Sequence, residues 1–213
     1  MTGCCDPRGC DRFFTPRFAR RTAGRYRKKG LDGTARRMVE FLASQGIEDA
    51  TVLEIGGGVG EIEIELLRRG AASAVNLELS SAYDDEAAAL LHEARLEDRV
   101  ERRIHDIAAD PDAVEQADVV VLHRVVCCYP DYERLLGAAA AHARRLVVFS
   151  YPRPTGLARL FVAGQNLVFH VLGREFRAFV HPPSQMLRVV TSRGFGQSLA
   201  YRGLVWQAAG LAR

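Results

Sequence analysis

The sequence contains no apolar run of about 18 residues, the length that a membrane-spanning helix requires. Its N-terminus lacks the hydrophobic segment of a secretory signal, and we therefore expect a soluble protein with a cytoplasmic location. Internal repeats and low-complexity linkers are also missing. With 213 residues, 48% of them hydrophobic and 26% charged, the chain is long enough for one α/β domain with a sizeable core.

The chain also lacks the second cysteine pair that a zinc site would need. Cys4, Cys5 and Cys10 lie close together near the N-terminus, but no C-x2-C pair follows them. We therefore predict no metal centre, and without a secretory context we expect no disulfides. Cys127 and Cys128 follow a predicted strand and are interpreted as small buried hydrophobic residues rather than as nucleophiles.

The formal net charge is only +3, but basic residues are concentrated near the N-terminus. They are Arg8, Arg12, Arg17, Arg20, Arg21, Arg25, Arg27, Lys28, Lys29, Arg36 and Arg37. Because Phe13, Phe14, Phe18 and Tyr26 are interleaved with them, we predict an amphipathic cap over residues 1–30. A nucleic-acid arm is the alternative. No RNA-binding signature accompanies the segment, so we expect no nucleic-acid partner and at most a weak contact with a membrane surface.

Strand and helix patterns alternate over the remaining residues, 31–213. The predicted strands lie at 51–55, 74–78, 100–104, 118–123 and 145–150, followed by two more at 195–201 and 204–209. Alternation of this kind is typical of a parallel sheet with helices on both faces. A segment at about 153–182 interrupts the alternation, and we predict that it forms a helical lid.

The most informative motif is the strand and turn at residues 52–60, VLEIGGGVG. An apolar strand that ends in closely spaced glycines and leads into a helix is typical of a nucleotide-binding turn. Glycine allows unusual backbone angles and lets a ligand approach the main chain closely. The glycines are Gly56, Gly57, Gly58 and Gly60, and Glu61 occupies the position where the dinucleotide fingerprint has a small residue. A nucleotide-dependent oxidoreductase is therefore the weaker interpretation.

The pattern Glu54-x-Gly56-x-Gly58-x-Gly60 resembles the first motif of class I S-adenosylmethionine-dependent methyltransferases. The resemblance implies a Rossmann-like, doubly wound α/β fold with a mostly parallel seven-stranded sheet and a C-terminal antiparallel hairpin. It also implies S-adenosylmethionine as the cofactor. The order and length of the segments loosely resemble the small family members that esterify magnesium protoporphyrin. A non-catalytic protein that keeps this fold is a further alternative, although the motif residues are intact.

Acidic residues follow the next two predicted strands. In a doubly wound sheet, the acid after the second strand, here Glu78, accepts hydrogen bonds from the ribose hydroxyls. The resemblance implies that Asp106, after the third strand, accepts from the adenine amino group. We expect Glu54 to accept hydrogen bonds from the turn or, through water, from the cofactor ammonium. With Leu79, Ile107 and the four glycines, these residues are the predicted cofactor contacts.

The fourth predicted strand brings His123 to the edge of the sheet where ligands bind in open α/β folds. Because imidazole titrates near neutrality, His123 is a candidate general base for a hydroxyl acceptor. The alternative is that it only lines the cofactor pocket. Tyr129, in the following loop, is a candidate orienting hydroxyl. The D/N-P-P-Y motif of amino methyltransferases is absent there, which favours O-methylation of a small-molecule acceptor.

Overall fold

A computed structural model of the chain describes residues 9–10 and 13–213. Cys4, Cys5, Arg8 and Arg12, which the sequence analysis singles out, lie outside this range. The longer helices are α1 (Pro16–Lys29), α2 (Gly33–Ser44), α3 (Glu61–Arg68), α4 (Asp84–Ala94), α5 (Tyr132–His142), α6 (Gly156–Val171) and α7 (Pro183–Thr191). The strands are β1 (Thr51–Ile55), β2 (Ser73–Glu78), β3 (Val100–Ile104), β4 (Ala117–Leu122), β5 (Ala143–Pro152), β6 (Gly196–Arg202) and β7 (Trp206–Ala212).

The strands form one sheet in the order β3-β2-β1-β4-β5-β7-β6. Strands β1 to β5 are parallel, whereas β7 pairs antiparallel with both β5 and β6. The predicted parallel sheet with a terminal antiparallel hairpin is therefore confirmed. The chain passes outward from β1 through β2 to β3 and then returns to β4 on the other side of β1. Ligands bind at such a reversal, beyond the carboxyl ends of the strands.

The central strand β4 is buried on both faces, which explains its continuous apolar sequence. Val119 and Val121 pack into the core on one side of the sheet. Val120 and Leu122 alternate with them and pack into the core on the other side. The residues that follow β4 are thereby held firmly at the carboxyl edge.

Helix α1 lies against the remainder of the fold with Ala19, Ala23 and Tyr26 buried. On its outer side, Arg27 forms ion pairs of 3.2 Å with Glu86 and 2.7 Å with Glu93, both on α4. Part of the basic N-terminal charge is therefore matched within the chain.

Helix α2 begins at an N-cap, Asp32, whose carboxylate accepts hydrogen bonds from the N–H groups of Thr34 and Ala35 at 2.8 and 3.0 Å. The helix is fixed by the burial of its apolar face, including Met38 and Leu42. Asp32 is in this way placed at the carboxyl edge of the sheet.

The predicted insertion leaves the sheet after β5 and contains α6, of which no residue is buried. Among the described residues, no helix has both the length and the apolarity needed to cross a membrane.

Candidate functional site

The turn between β1 and α3 is built from glycines because its backbone requires them. Gly56, Gly58 and Gly60 have φ angles of 65°, 58° and 80°, which side-chain-bearing residues rarely adopt. A Cβ on Gly56 would lie 2.5 Å from the Val125 side chain. At Gly58, by contrast, the nearest atom would be 3.5 Å away, on the ring of Tyr83. The main chain at Gly58 lines the cavity described below and leaves room for a Cβ in ordinary contact with the Tyr83 ring, so the requirement for glycine there comes from its backbone angle.

Glu54 is buried beneath this turn and accepts a hydrogen bond from the N–H of Glu63 at 2.8 Å. Burial, with repulsion from the neighbouring Glu63 carboxylate, raises the pKa of Glu54 well above its ordinary value. The donor is thus in the first turn of α3 and not in the glycine turn itself, so the predicted hydrogen bond from the turn to Glu54 takes this different form. The contact of Glu54 with a cofactor ammonium stays a prediction.

Glu78 connects the end of β2 to the glycine turn. Its carboxylate accepts hydrogen bonds from the N–H groups of Gly58 at 2.9 Å, Leu79 at 2.7 Å and Ser80 at 3.3 Å. Burial raises the pKa of Glu78, and these three donors partly offset that effect. A carboxylate has about four acceptor positions, so one is left for a ligand hydroxyl. Glu78 and Leu79 both line the cavity described below.

The loop after β3, which contains the predicted cofactor contacts Asp106 and Ile107, is arranged differently from the glycine turn and Glu78. The hydroxyl of Tyr129 donates to Asp106 at 3.1 Å, and the N–H of Ala108 donates to the same carboxylate at 3.0 Å. Ile107 is buried in the core rather than in the cavity wall. His105 and Tyr129 line the cavity in this region, whereas Asp106 and Ile107 do not. Direct contacts of Asp106 and Ile107 with a cofactor stay predictions.

His123 lies between two polar side chains. Its Nδ1 is 3.1 Å from Ser150 Oγ, and its Nε2 is 3.4 Å from Asp32 Oδ2. The Ser150 oxygen also accepts the N–H of Arg124 at 2.8 Å. The Ser150 hydroxyl can either donate to Nδ1 or accept from it, so the donor and acceptor roles of the two ring nitrogens depend on the tautomer of His123. The two predicted catalytic residues, His123 and Tyr129, share no partner. His123 lies between Ser150 and Asp32, whereas the Tyr129 hydroxyl donates to Asp106.

Asp32 is held in its ionised form. Burial opposes ionisation, but the hydrogen bond from His123, a backbone N–H and the charge of Arg124 outweigh it and keep the pKa of Asp32 below its ordinary range. The Arg124 guanidinium lies 2.7 Å from the carboxylate, and that of Arg25 lies 3.7 Å away.

Asp32, Glu61 and His123 place potential metal-ligand atoms within 4.8 Å of one another. Arg25 donates to Glu61 at 3.1 Å as well as lying near Asp32, so both carboxylates already have cationic partners. The group is consequently complete as an ion-pair network, and we assign it no cation.

Sequence reasoning missed Asp32, Arg25 and Ser150 as partners of His123. An N-cap pattern before α2 could have located the Asp32 carboxylate at a helix start, but not beside a residue 91 positions later in the chain. Ser150 follows Phe149, which pairs with Leu122 in the sheet register, so strand alignment places it next to His123. Arg25 carried no signal that distinguished it from the other N-terminal arginines.

A cavity of about 880 Å³ extends from the glycine turn past His123 to α1. Its walls include Cys10, Phe14, Phe18, Arg21, Thr22, Arg25, Lys28, Lys29, Glu54, Glu78, Leu79, Tyr83, His105, His123, Arg124, Val125, Cys128 and Tyr129. The glycine turn and Glu78 form one part, and the N-terminal helix covers another. Cys128 is half-buried at this wall, as is Cys127 beside it, so the expectation that both are fully buried is wrong.

An aromatic cluster joins the N-terminal segment to the insertion. The ring of Phe13 is stacked on that of Phe176 with centroids 4.1 Å apart, and it contacts Phe169 of α6 at 5.7 Å. The apolar residues Leu160, Phe161 and Val168 of α6 do not join this cluster, since all three are exposed on the other side of the helix.

Comparison with known proteins identifies the family. A family model described as a methyltransferase domain matches residues 25–205. No curated protein matches the chain at a significant level.

Solved structures share the fold. The magnesium protoporphyrin IX methyltransferase of Synechocystis PCC 6803 with bound SAH has a TM-score of 0.68 and 19% identity, over 84% of this chain and 81% of that one. An O-methyltransferase family protein of Burkholderia thailandensis has a TM-score of 0.66 and 19% identity, over 84% and 56%. The geranyl diphosphate C-methyltransferase of Streptomyces coelicolor has a TM-score of 0.63 and 14% identity, over 83% and 80%.

Proposed function

The chain belongs to the methyltransferase domain family, as a class I S-adenosylmethionine-dependent methyltransferase, and from this premise we propose that it methylates an oxygen atom of a small-molecule acceptor. The cofactor supplies, when bound, a methyl group made electrophilic by a positively charged sulfur. The residues that would hold it are those of the glycine turn, together with Glu78 and Leu79. They fit this cofactor because Gly56, Gly57 and Gly58 bring the main chain to the cavity wall, and Glu78 lines the same cavity.

The observation that carries O-methylation is the setting of His123. The distance from Nε2 to Asp32, 3.4 Å, is long for a hydrogen bond, whereas the Ser150 contact at 3.1 Å is of ordinary length. Nε2 is thus the nitrogen that an acceptor hydroxyl can approach. In the tautomer with the hydrogen on Nδ1, which donates to Ser150 Oγ, the Nε2 lone pair is free and can take the proton of the acceptor hydroxyl as its oxygen forms the bond to the methyl group.

The positive charge that would form on His123 would lie next to a negatively charged side chain, Asp32. An imidazolium beside the ionised Asp32 carboxylate is stabilised by the opposite charge, as in other pairs of a base and an orienting carboxylate. Holding the acceptor oxygen and the methyl group in line would supply much of the remaining rate acceleration, because the protein itself forms no covalent bond in a methyl transfer.

The cavity wall favours an acceptor with an apolar body and an acidic group. Phe14 and Phe18 provide aromatic surface, and Arg21, Lys28 and Lys29 of α1 line the same cavity. No ion pair is found for these three cations among the described residues. An anionic substituent would complement them.

A screen with S-adenosylmethionine labelled in the methyl group tests the proposal. Phenols, hydroxy acids and carboxylic acids would be compared with amines of matched size, and the labelled product would be identified by mass spectrometry. We expect label in an O-methyl group. Transfer to amines alone, or to RNA, would show that the acceptor assignment is wrong.

Replacing His123 tests the mechanism with any acceptor that the screen identifies. His123→Ala should lower turnover by about 10²- to 10⁴-fold, the usual contribution of a general base, with little change in the affinity for S-adenosylhomocysteine. Ser150→Ala is the matched control for positioning, and its effect should be smaller. A His123→Ala variant that lost cofactor affinity instead would place the residue in the cofactor pocket. For an acceptor that is already ionised, near-normal turnover is expected.

A further inference from the structure

The outward face of α6 is apolar and uncovered in the described part of the chain. We define the outer stripe as Leu157, Leu160, Phe161, Gly164, Leu167, Val168 and Val171. Spacings of three and four residues put these positions on one side of the helix. The six apolar side chains are between 54% and 79% exposed. A continuous exposed apolar surface of this kind marks an interaction site.

The helix is held in an orientation that keeps the outer stripe away from the cavity. On the opposite side, the Asn166 side chain exchanges two hydrogen bonds with the backbone of Ala178, at 2.8 and 2.9 Å. Phe169, on the same side, packs on Phe13. The outer stripe therefore requires a partner from outside the described chain.

The outer stripe is symmetric about Gly164. Its members lie three, four and seven residues on either side of that glycine. The matching positions are Phe161 with Leu167, Leu160 with Val168, and Leu157 with Val171. If two copies of the helix cross antiparallel with a two-fold axis at Gly164, every apolar side chain meets the matching position of the partner. Such self-complementarity is the defining property of a two-fold interface.

Gly164 itself has no function within the described fold. Its backbone is helical, and a Cβ there would meet no atom within 4 Å. Glycine weakens a helix interior relative to alanine, so the residue costs stability without a benefit that the fold explains. At the crossing point of two helices, the missing side chain lets the backbones approach closely.

We propose that this protein forms a two-fold symmetric dimer in which α6 pairs antiparallel with α6 of a second copy. The outer stripe would bury about 100 Å² for each of its six apolar side chains. That is about 600 Å² per partner and about 1,200 Å² in total, the lower end of the range for stable interfaces.

A membrane surface is the less suitable partner for this helix. Helices that lie on membranes have a polar face rich in lysine and arginine. Arg159 is the only lysine or arginine of α6, and the face opposite the outer stripe packs on the protein. An uncharged, symmetric stripe fits a second copy of itself better.

Sedimentation equilibrium of the full chain, from about 1 to 100 µM, tests the proposal. We expect a dimer in the wild type. Leu160→Glu should raise the dissociation constant by about 10²-fold or more, because two buried leucines are lost per dimer. Circular dichroism and S-adenosylhomocysteine affinity should be unchanged, which separates loss of pairing from loss of folding.

Charge pairs test the antiparallel register. Leu160→Glu combined with Val168→Lys should restore the dimer, since each glutamate would face a lysine of the partner. Leu160→Glu combined with Val171→Lys carries the same charges out of register and should stay monomeric. A wild type that is monomeric throughout, or equal rescue by both combinations, would overturn the proposal. So would a monomer whose outer stripe binds vesicles of phosphatidylcholine and phosphatidylserine.

Discussion

Replacement of Glu78 by alanine should weaken cofactor binding far more than it weakens the fold. The carboxylate lies at the end of β2, lines the cavity and accepts three backbone hydrogen bonds that hold the glycine turn. The variant removes both this support and the predicted contact with the ribose hydroxyls. A comparison of ligands can separate the two effects.

The expected magnitude follows from the bonds that are lost. A hydrogen bond to a charged group contributes about 1.5 to 3 kcal/mol, and the one acceptor position left on the Glu78 carboxylate can make one such bond to the ribose. The dissociation constant of S-adenosylhomocysteine should therefore rise by about 10- to 150-fold. Glu78→Gln should have a smaller effect, because the amide keeps one acceptor oxygen. Its NH2 group would, however, face a backbone N–H donor.

Isothermal titration calorimetry with S-adenosylhomocysteine measures the effect, and thermal unfolding of each variant without ligand measures the loss of fold stability. A 2′,3′-dideoxy analogue of the ligand provides the control. If Glu78 contacts the ribose, its replacement should cost much less affinity for the analogue than for the parent ligand. Equal losses would mean that Glu78 acts only by holding the turn at Gly58. Unchanged affinity for the parent ligand in a folded Glu78→Ala variant would refute the reasoning altogether.

Three further changes test other parts of the structure. Gly57→Ala should lower the melting temperature, because its Cβ would lie 2.3 Å from the buried Asn76 side chain; an unchanged melting temperature would show that the turn is looser than described. Burial raises the pKa of Glu63 to about 7. The unfolded chain ionises this carboxyl at a lower pH than the folded chain, so the free energy of unfolding should fall as the pH rises from about 4.5 to 7. Glu63→Gln should make this fall smaller in chemical denaturation, while the contribution of the neighbouring Glu54, whose pKa is also raised, remains. Phe13→Ala should reduce turnover more than S-adenosylhomocysteine affinity, since it opens the aromatic cluster and leaves the glycine turn intact; equal losses would argue against a role for the cluster in the acceptor site.

That the glycine turn, Glu54 and Glu78 lie together at one cavity was predictable because they are local in sequence. Glu54 and the glycines belong to one strand and turn, and Glu78 ends the next strand, so their relation follows from the order of the elements. For Asp106, the family resemblance implies a contact with the adenine amino group. In the structure its carboxylate accepts the Tyr129 hydroxyl, and Tyr129 rather than Asp106 lines the cavity, a contact between distant loops that strand order alone does not specify.

The acceptor half was harder to predict because its residues meet only through tertiary packing. His123 was identified from its position after β4, but its partners come from the start of α2 and from β5, 91 and 27 residues away. For the outer stripe of α6, the residues were identifiable from the sequence but their orientation was not. Its apolar spacing was visible in the sequence, yet spacing cannot say which side of a helix meets the protein. Asn166 settles that question, since its two hydrogen bonds to Ala178 turn the stripe outward.

The position of Asp32 connects the N-terminal helix to the chemistry. Only Gly30 and Leu31 separate α1 from this N-cap, and Arg25 of α1 contacts both Asp32 and Glu61. A displacement of α1 would therefore change the distance between the Asp32 carboxylate and His123 Nε2. Glu78 is held separately, by backbone donors of Gly58 and Leu79. The helix that covers one part of the cavity thus also helps to set the charge beside the proposed base, so a substitution of Arg25 should alter the proposed base more than the contacts of Glu78.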